Sequence, residues 1–133
     1  MNALALLDSA ALRTLAQRSA AINTTCPCTL AAIDAWSSTP LSFPEHLLHD
    51  IGTLLVDPYD EPGFTEYHPA GTRYESPDAP IASAYCPYNR CNIAACQQCG
   101  RSYLRYTEAG GYFVDRRIRA LNRPALVLDA PTP

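Results

Sequence analysis

The chain has 133 residues, with 13 acidic and 10 basic side chains, a formal net charge of −3 and 47% hydrophobic residues. These values predict one soluble, acidic domain over 1–133 and exclude two independent cores, because so short a chain cannot bury both. Every basic side chain is an arginine, and 12 prolines favour loops and strands over long helices.

The first third of the chain is predicted to be helical, over about 4–55. Residues 4–21 place Ala and Leu at helical spacing, and the alternative is a shorter helix from about Ala10, capped near Asp8 and Ser9. Further short helices are predicted over 30–36 and 45–55, the second weakened by Gly52.

A Pro-rich acidic loop region follows at 57–80, and it is predicted to be ordered because it carries aromatic side chains. The cysteine knuckle and hairpin region then covers 86–128. Within it, the β-branched and aromatic runs 101–107 and 112–119 flank Glu108-Ala-Gly-Gly111, which predicts a β-hairpin, and 125–128 can add an edge strand. The predicted fold class is therefore α+β, with one or more N-terminal helices and a cysteine knuckle leading into a C-terminal antiparallel sheet.

Charge is divided between the middle and the end of the chain. Residues 45–78 hold eight acids and one arginine, whereas 101–123 hold six arginines and two acids. The simplest interpretation is that the acidic middle packs against the basic hairpin. The alternative is a basic face for an external partner, formed by Arg101, Arg105, Arg116, Arg117 and Arg119.

Six cysteines point to metal chemistry. The N-terminus lacks the basic residues of a secretory signal, and no apolar run is long enough to span a membrane. A cytoplasmic location is therefore expected, with no membrane partner. In that reducing compartment cysteines serve as metal ligands or redox thiols more often than as disulfides.

Four of the cysteines lie within fourteen residues, at spacing C-x4-C-x4-C-x2-C: Cys86, Cys91, Cys96 and Cys99. Cys91, Cys96 and Cys99 are predicted to be metal ligands. The fourth ligand is predicted to be Cys86, with His68 as the alternative. Sulfur ligands favour tetrahedral Zn2+. The zinc is predicted to be structural, because four protein ligands leave no open position on the metal. An iron–sulfur cluster is the alternative. Cys26 and Cys28 stay open between further ligands and buried core.

The segment 86–118 resembles a zinc ribbon, in which a cysteine knuckle leads into a hairpin. Zinc ribbons usually carry a second, facing C-x2-C pair, which this chain lacks, so the other ligands remain open among Cys86, Cys91, His68 and the pair Cys26 and Cys28. The run from Tyr88 to Tyr112 also looks like that of small, uncharacterised proteobacterial proteins, and this likeness implies a bacterial origin without an activity.

No credible catalytic set is present, so an enzyme is not the expectation. The leading hypothesis is a zinc-binding small protein that acts by binding another protein, as an adaptor, regulator or immunity-type inhibitor. Two alternatives remain: a nucleic-acid-associated zinc-ribbon protein that uses the hairpin arginines, and a thiol redox or metal-handling protein.

Overall fold

The computed structural model describes residues 4–30, 33–109, 112 and 114–133. In this part of the chain one α-helix packs against a five-stranded antiparallel sheet, which confirms the predicted α+β class. The helix is α1 (Ser9–Ala21), and the strands are β1 (Ser37–Ser38), β2 (Leu48–Thr53), β3 (Asn92–Cys96), β4 (Ser102–Ala109) and β5 (Val114–Ala120). Their order across the sheet is β1-β5-β4-β3-β2.

Of the two alternatives predicted for the first helix, α1 matches the shorter one, which begins near Ala10. The Asp8 carboxylate caps it by accepting a hydrogen bond of 2.8 Å from the Ala11 backbone N–H. The residues before it are not helical: the Leu7 N–H donates to the Thr53 carbonyl at 2.9 Å, so this segment runs along the outer edge of β2. An edge that would otherwise expose unpaired backbone groups is thereby partly covered.

The helix predicted over 45–55 is wrong, because this segment forms a short 3-10 turn followed by β2. Both faces of the sheet are covered here. Leu48 is buried in the core on one face, whereas Ile51 and Leu54 pack on the other. A register shift between Asp50 and Gly52 adds to this, so the apolar residues lose the alternation typical of a strand and imitate helical spacing.

The predicted hairpin is present as β4 and β5, paired from Tyr103 with Ala120 to Ala109 with Val114. Two of the four residues predicted to separate the strands, 110 and 111, lie outside the described residues. The edge strand predicted at 125–128 is replaced by a 3-10 turn at Pro124–Leu126 and a single parallel bridge from Val127 to Ile81. Of the helix predicted over 30–36, residues 31 and 32 are not described and 33–36 are not helical.

Two hydrophobic cores lie on opposite faces of the sheet, and they are not independent because the same strands contribute residues to both. The first contains the helix residues Leu12 and Ala16 together with Trp36, Ile93 and Leu104. The second contains Cys26, Cys28, Ile33, Phe43, Leu48, Ala94, Cys96, Tyr103 and Ile118. Three cysteines, Cys26, Cys28 and Cys96, are therefore part of the second core, and the candidate site lies in that core.

Arginines bind the acidic loop region to the sheet. The buried Arg119 guanidinium donates to the carbonyls of Pro77 and Ala79, at 3.1 and 3.0 Å, and to the Tyr88 hydroxyl. Arg90 donates to the Gly63 carbonyl at 2.6 Å and lies 4.5 Å above the Phe64 ring. These contacts give a segment without regular secondary structure a fixed path over the sheet.

Candidate metal centre

The tight turn between β3 and β4 presents two thiols to the same side. Strand β3 ends at Cys96, Gln97 and Gln98 form the turn, and Cys99 follows. The Gly100 N–H donates to the Cys96 carbonyl, and the Cys96 N–H donates to the Arg101 carbonyl, both at 2.8 Å. Gly100 has a φ of +86°, a conformation that favours glycine. We call Cys96–Gly100 the knuckle.

A second turn, far away in the sequence, presents two more thiols. Pro27 opens a 3-10 turn over Pro27–Thr29, with Cys26 immediately before it in extended conformation. The Thr29 N–H and hydroxyl both bond to the Cys26 carbonyl, at 2.9 and 2.7 Å. Because proline fixes φ, this turn holds Cys26 and Cys28 in defined directions. We call Cys26–Thr29 the N-terminal turn.

The two turns face each other and bring four sulfurs together. The Sγ atoms of Cys26, Cys28, Cys96 and Cys99 all lie within 4.8 Å of one another. Across the turns, the Cys26 and Cys96 sulfurs are 3.7 Å apart, and those of Cys28 and Cys99 are 3.5 Å apart. A tetrahedral site with Zn–S bonds of about 2.3 Å requires S–S separations of about 3.8 Å. These four cysteines, called the thiol tetrad below, can therefore hold a metal ion.

Burial closes three of the four thiols to solvent. Cys26 and Cys28 are each 1% exposed and Cys96 is 2% exposed, whereas Cys99 is partly exposed. This enclosed site offers a cysteine sulfur for each of the four positions of a tetrahedral metal, an arrangement typical of structural rather than catalytic zinc.

Polar groups around the tetrad can donate hydrogen bonds to its sulfurs. The Tyr103 hydroxyl lies 3.1 Å from the Cys28 sulfur and 3.2 Å from the Cys28 carbonyl, and it can donate to either. The Arg101 guanidinium donates to the carbonyls of Ile22 and Thr24, at 3.1 and 2.8 Å, beside Cys99. Its Nη1 is buried without a hydrogen-bond partner among the described residues. Metal thiolates carry negative charge and accept such hydrogen bonds.

The thiols differ in how easily they ionise. Burial raises the pKa of Cys26 and of Cys28 above the usual value for a thiol. Burial opposes ionisation of Cys99 too, but the Arg101 backbone N–H and guanidinium, followed by the Cys28 and Cys26 thiols, outweigh it and lower the pKa of Cys99 to about 7. The partly exposed Cys99 therefore ionises more readily than Cys26 or Cys28.

The structure brings together only two of the cysteines assigned from the C-terminal cluster. Cys96 and Cys99 belong to the tetrad, and its other members are Cys26 and Cys28 rather than Cys86 and Cys91. Cys91 is fully buried in the opposite core, where its thiol donates to the Pro87 carbonyl at 3.2 Å and burial raises its pKa. Cys86 is half-buried beside a cleft that also contacts Arg90.

His68, the alternative fourth ligand, also lies outside the tetrad. One ring nitrogen is 2.8 Å from the Glu66 carboxylate and the other is 2.7 Å from the Thr72 hydroxyl. Both nitrogens thus have partners within the acidic loop region.

Strand geometry explains why Cys91 is separated from Cys96. Asn92–Cys96 is a strand, and residues an odd number of positions apart point to opposite faces of a sheet. The five-residue spacing therefore sends Cys91 into the helix-side core and Cys96 toward Cys26. The apolar run Ile93-Ala-Ala95 is the sequence signal for this strand, and it is missed when the whole cluster is treated as one knuckle.

The five arginines assigned to a basic face are engaged within the protein. Arg105 pairs with Asp50 at 3.1 Å and Arg116 with Glu45 at 2.8 Å. Arg117 pairs with Asp115 at 2.7 Å, while Arg101 and Arg119 make the carbonyl contacts already described. Two of these pairs join the acidic middle of the chain to the hairpin, as the simpler interpretation of the charge division expects.

Comparisons with protein-family models, with curated protein sequences and with solved structures find no match. The resemblances to zinc ribbons and to proteobacterial proteins therefore stay predictions. No helix of the described residues is long and apolar enough to cross a membrane.

Proposed function

We propose that this chain is a small domain held together by structural zinc, bound by Cys26, Cys28, Cys96 and Cys99, and that it acts by binding another protein. The observation that carries the metal assignment is the S–S spacing of the thiol tetrad, which is close to that of a tetrahedral zinc–thiolate site. Thiolate ligands select zinc over metals that prefer oxygen.

Two groups support a metal bound by four thiolates. Four thiolates around Zn2+ leave a net charge of about −2, and the Arg101 guanidinium beside Cys99 offsets part of it. The Tyr103 hydroxyl supplies a hydrogen bond to the Cys28 sulfur. Such outer-shell donors orient ligands and typically change metal affinity roughly 10–100-fold.

Metal analysis of protein purified without added zinc tests the assignment. We expect close to one equivalent of zinc and, in native protein, buried thiols at Cys26, Cys28 and Cys96 that react with an alkylating reagent only after a strong chelator is added. Less than about half an equivalent of any metal would contradict the proposal, since a structural site of this kind should stay filled. Iron in place of zinc would select the iron–sulfur alternative.

An exposed acidic segment supports the protein-binding part of the proposal. Val56 and Tyr59 are 79% and 97% exposed. Three acids lie beside them in the sequence: Asp57, Asp60 and Glu61. In the described residues no arginine or histidine forms an ion pair with these three acids. An exposed aromatic ring with unpaired acids suits a partner with a basic surface.

The partner proposal is tested by affinity capture with matched variants. Wild-type protein, D57N/D60N and the control E75Q/D78N are immobilised, and the proteins that each retains are compared. A basic protein retained by wild type and control but lost from D57N/D60N supports the proposal. Equal retention by all three, or none by any, contradicts it.

Nucleic-acid binding is the second candidate, because Arg116 is 66% exposed and lies with Arg105 and Arg117 along one cleft of the sheet. Titration of single-stranded and duplex oligonucleotides at increasing salt discriminates between the two candidates. Binding that weakens steeply with ionic strength would favour nucleic acid. The ion pairs of these arginines with acids of the same chain are the reason to rank this candidate second.

A further inference from the structure

The four thiols of the tetrad are arranged as two pairs across the turns. The thiol–thiol hydrogen bonds of the described cysteines join Cys26 to Cys96 and Cys28 to Cys99. Each pair links the N-terminal turn to the knuckle, across 70 and 71 positions of the sequence. A disulfide needs S–S contact of about 2.0 Å, so closing either pair requires a movement of less than about 2 Å.

One of the four thiols is open to a small oxidant. Cys99 is partly exposed between the exposed residues Gln98 and Gly100, whereas the other three thiols are buried. A buried sulfur is closed to an oxidant from solvent, so the partly exposed Cys99 is the point of attack within the tetrad.

We propose that Cys99 is a peroxide-oxidation site and that Cys28 resolves it, forming a Cys28–Cys99 disulfide that releases the metal. The Cys99 thiolate attacks hydrogen peroxide and, with one proton taken up, gives a sulfenic acid and water. The Cys28 thiol then attacks the Cys99 sulfur, which forms the S–S bond and expels a second water. The two sulfurs together lose two electrons, and the peroxide gains them.

Release of the metal follows because the disulfide removes two of four ligands. The release of zinc rests on the proposed zinc site. The pairing of the sulfurs depends only on the two facing turns.

The competing disulfides are local ones. Sequence spacing favours Cys96–Cys99, a C-x2-C pair within the knuckle, while Cys26–Cys28 would close a strained ring around one proline. The structure instead places the Cys28 sulfur 3.5 Å from that of Cys99. The pairing therefore distinguishes a cross-turn site from an ordinary C-x2-C thiol pair.

Cleavage after arginine separates these outcomes. It places Cys26 and Cys28 on peptide 19–73, and Cys91, Cys96 and Cys99 on peptide 91–101. A cross-turn disulfide joins the two peptides, whereas a local disulfide leaves them separate. Fragmentation of the joined species then identifies the linked residues.

The experiment uses zinc-loaded C86S protein, which lacks the other partly exposed thiol. It is treated with hydrogen peroxide, alkylated without reduction and cleaved, while a chromogenic chelator records zinc. We expect peptides 19–73 and 91–101 to be joined by a disulfide between Cys28 and Cys99. The amount of released zinc should rise in step with the amount of joined peptide. In C28S protein the Cys28–Cys99 linkage should vanish and Cys99 should become sulfinic acid.

Chelator-stripped protein is oxidised in parallel, which separates this inference from the proposed function. If the protein carries no metal but the same peptides join, the zinc proposal fails and the cross-turn pairing stands. If zinc is bound but the disulfide is Cys96–Cys99, or Cys99 is overoxidised without any disulfide, the pairing is overturned and the zinc site stands.

Discussion

Two cysteines of this chain, Cys86 and Cys91, lie outside the thiol tetrad and provide controls for it. Cys26→Ser or Cys28→Ser should lower zinc affinity by more than the roughly 10–100-fold that loss of an outer-shell group costs, because each removes a ligand. Cys86→Ser should leave zinc affinity unchanged. Competition with a chelator of known affinity measures all three.

Cys91→Ala separates a core thiol from a ligand. Its thiol is fully buried among Leu104, Ile93 and Tyr88, so truncation should lower the free energy of unfolding by about 1 kcal/mol or more while zinc stays bound. Loss of zinc from folded C91A or C86S would instead support the ligand set assigned from sequence spacing alone.

Gly100 and Gly71 share a backbone conformation but differ in their surroundings. Their φ values are +86° and +79°, and a Cβ meets nothing closer than 3.8 Å at Gly100 and nothing within 4 Å at Gly71. Alanine at either position should cost about 1–2 kcal/mol of backbone strain. Only Gly100→Ala should also weaken zinc binding, since it distorts the knuckle. Urea unfolding and chelator competition on both variants check this, and equal zinc affinities would contradict it.

At the scale of elements, helix α1 depends on one capping side chain. Asp8→Ala should destabilise the protein by about 1 kcal/mol, because the Ala11 N–H loses its acceptor. Asp8→Asn keeps an acceptor at the same place and should unfold near the wild-type midpoint. Thermal unfolding followed by circular dichroism compares them, and equal destabilisation by both substitutions would assign the effect to charge instead.

The elements also show which sequence signals are reliable. The hairpin of β4 and β5 is predictable because β-branched and aromatic runs flank the sequence Glu108-Ala-Gly-Gly111, which favours a turn. Helix α1 is predictable from its capping residue and from the helical spacing of Ala and Leu. Strand β2 is not, because its apolar residues serve two cores on opposite faces. The knuckle half of the site follows from C-x2-C-G, but its partner turn does not, since no local pattern links Cys28 to a residue 71 positions away.

At the scale of the whole molecule, the tetrad joins the beginning of the chain to its last third. On the chain-entropy description, a cross-link closing a loop of 70 residues stabilises the folded state by about 4 kcal/mol. Removing zinc with a chelator should therefore lower the free energy of unfolding by several kcal/mol and shift the thermal midpoint downward. Calorimetry with and without chelator measures the shift, and an unchanged midpoint would contradict a structural metal.

The separation of the two turns also sets an order of events during synthesis. Cys26 and Cys28 are made about 70 residues before the knuckle, so they leave the ribosome as two thiols with half of a coordination sphere. The proposed zinc site becomes complete only when β3 and β4 have been made and paired. We therefore expect stable metal loading only after the chain has been synthesised through β4, so that a bound metal would mark the chains in which the N-terminal turn has reached the knuckle.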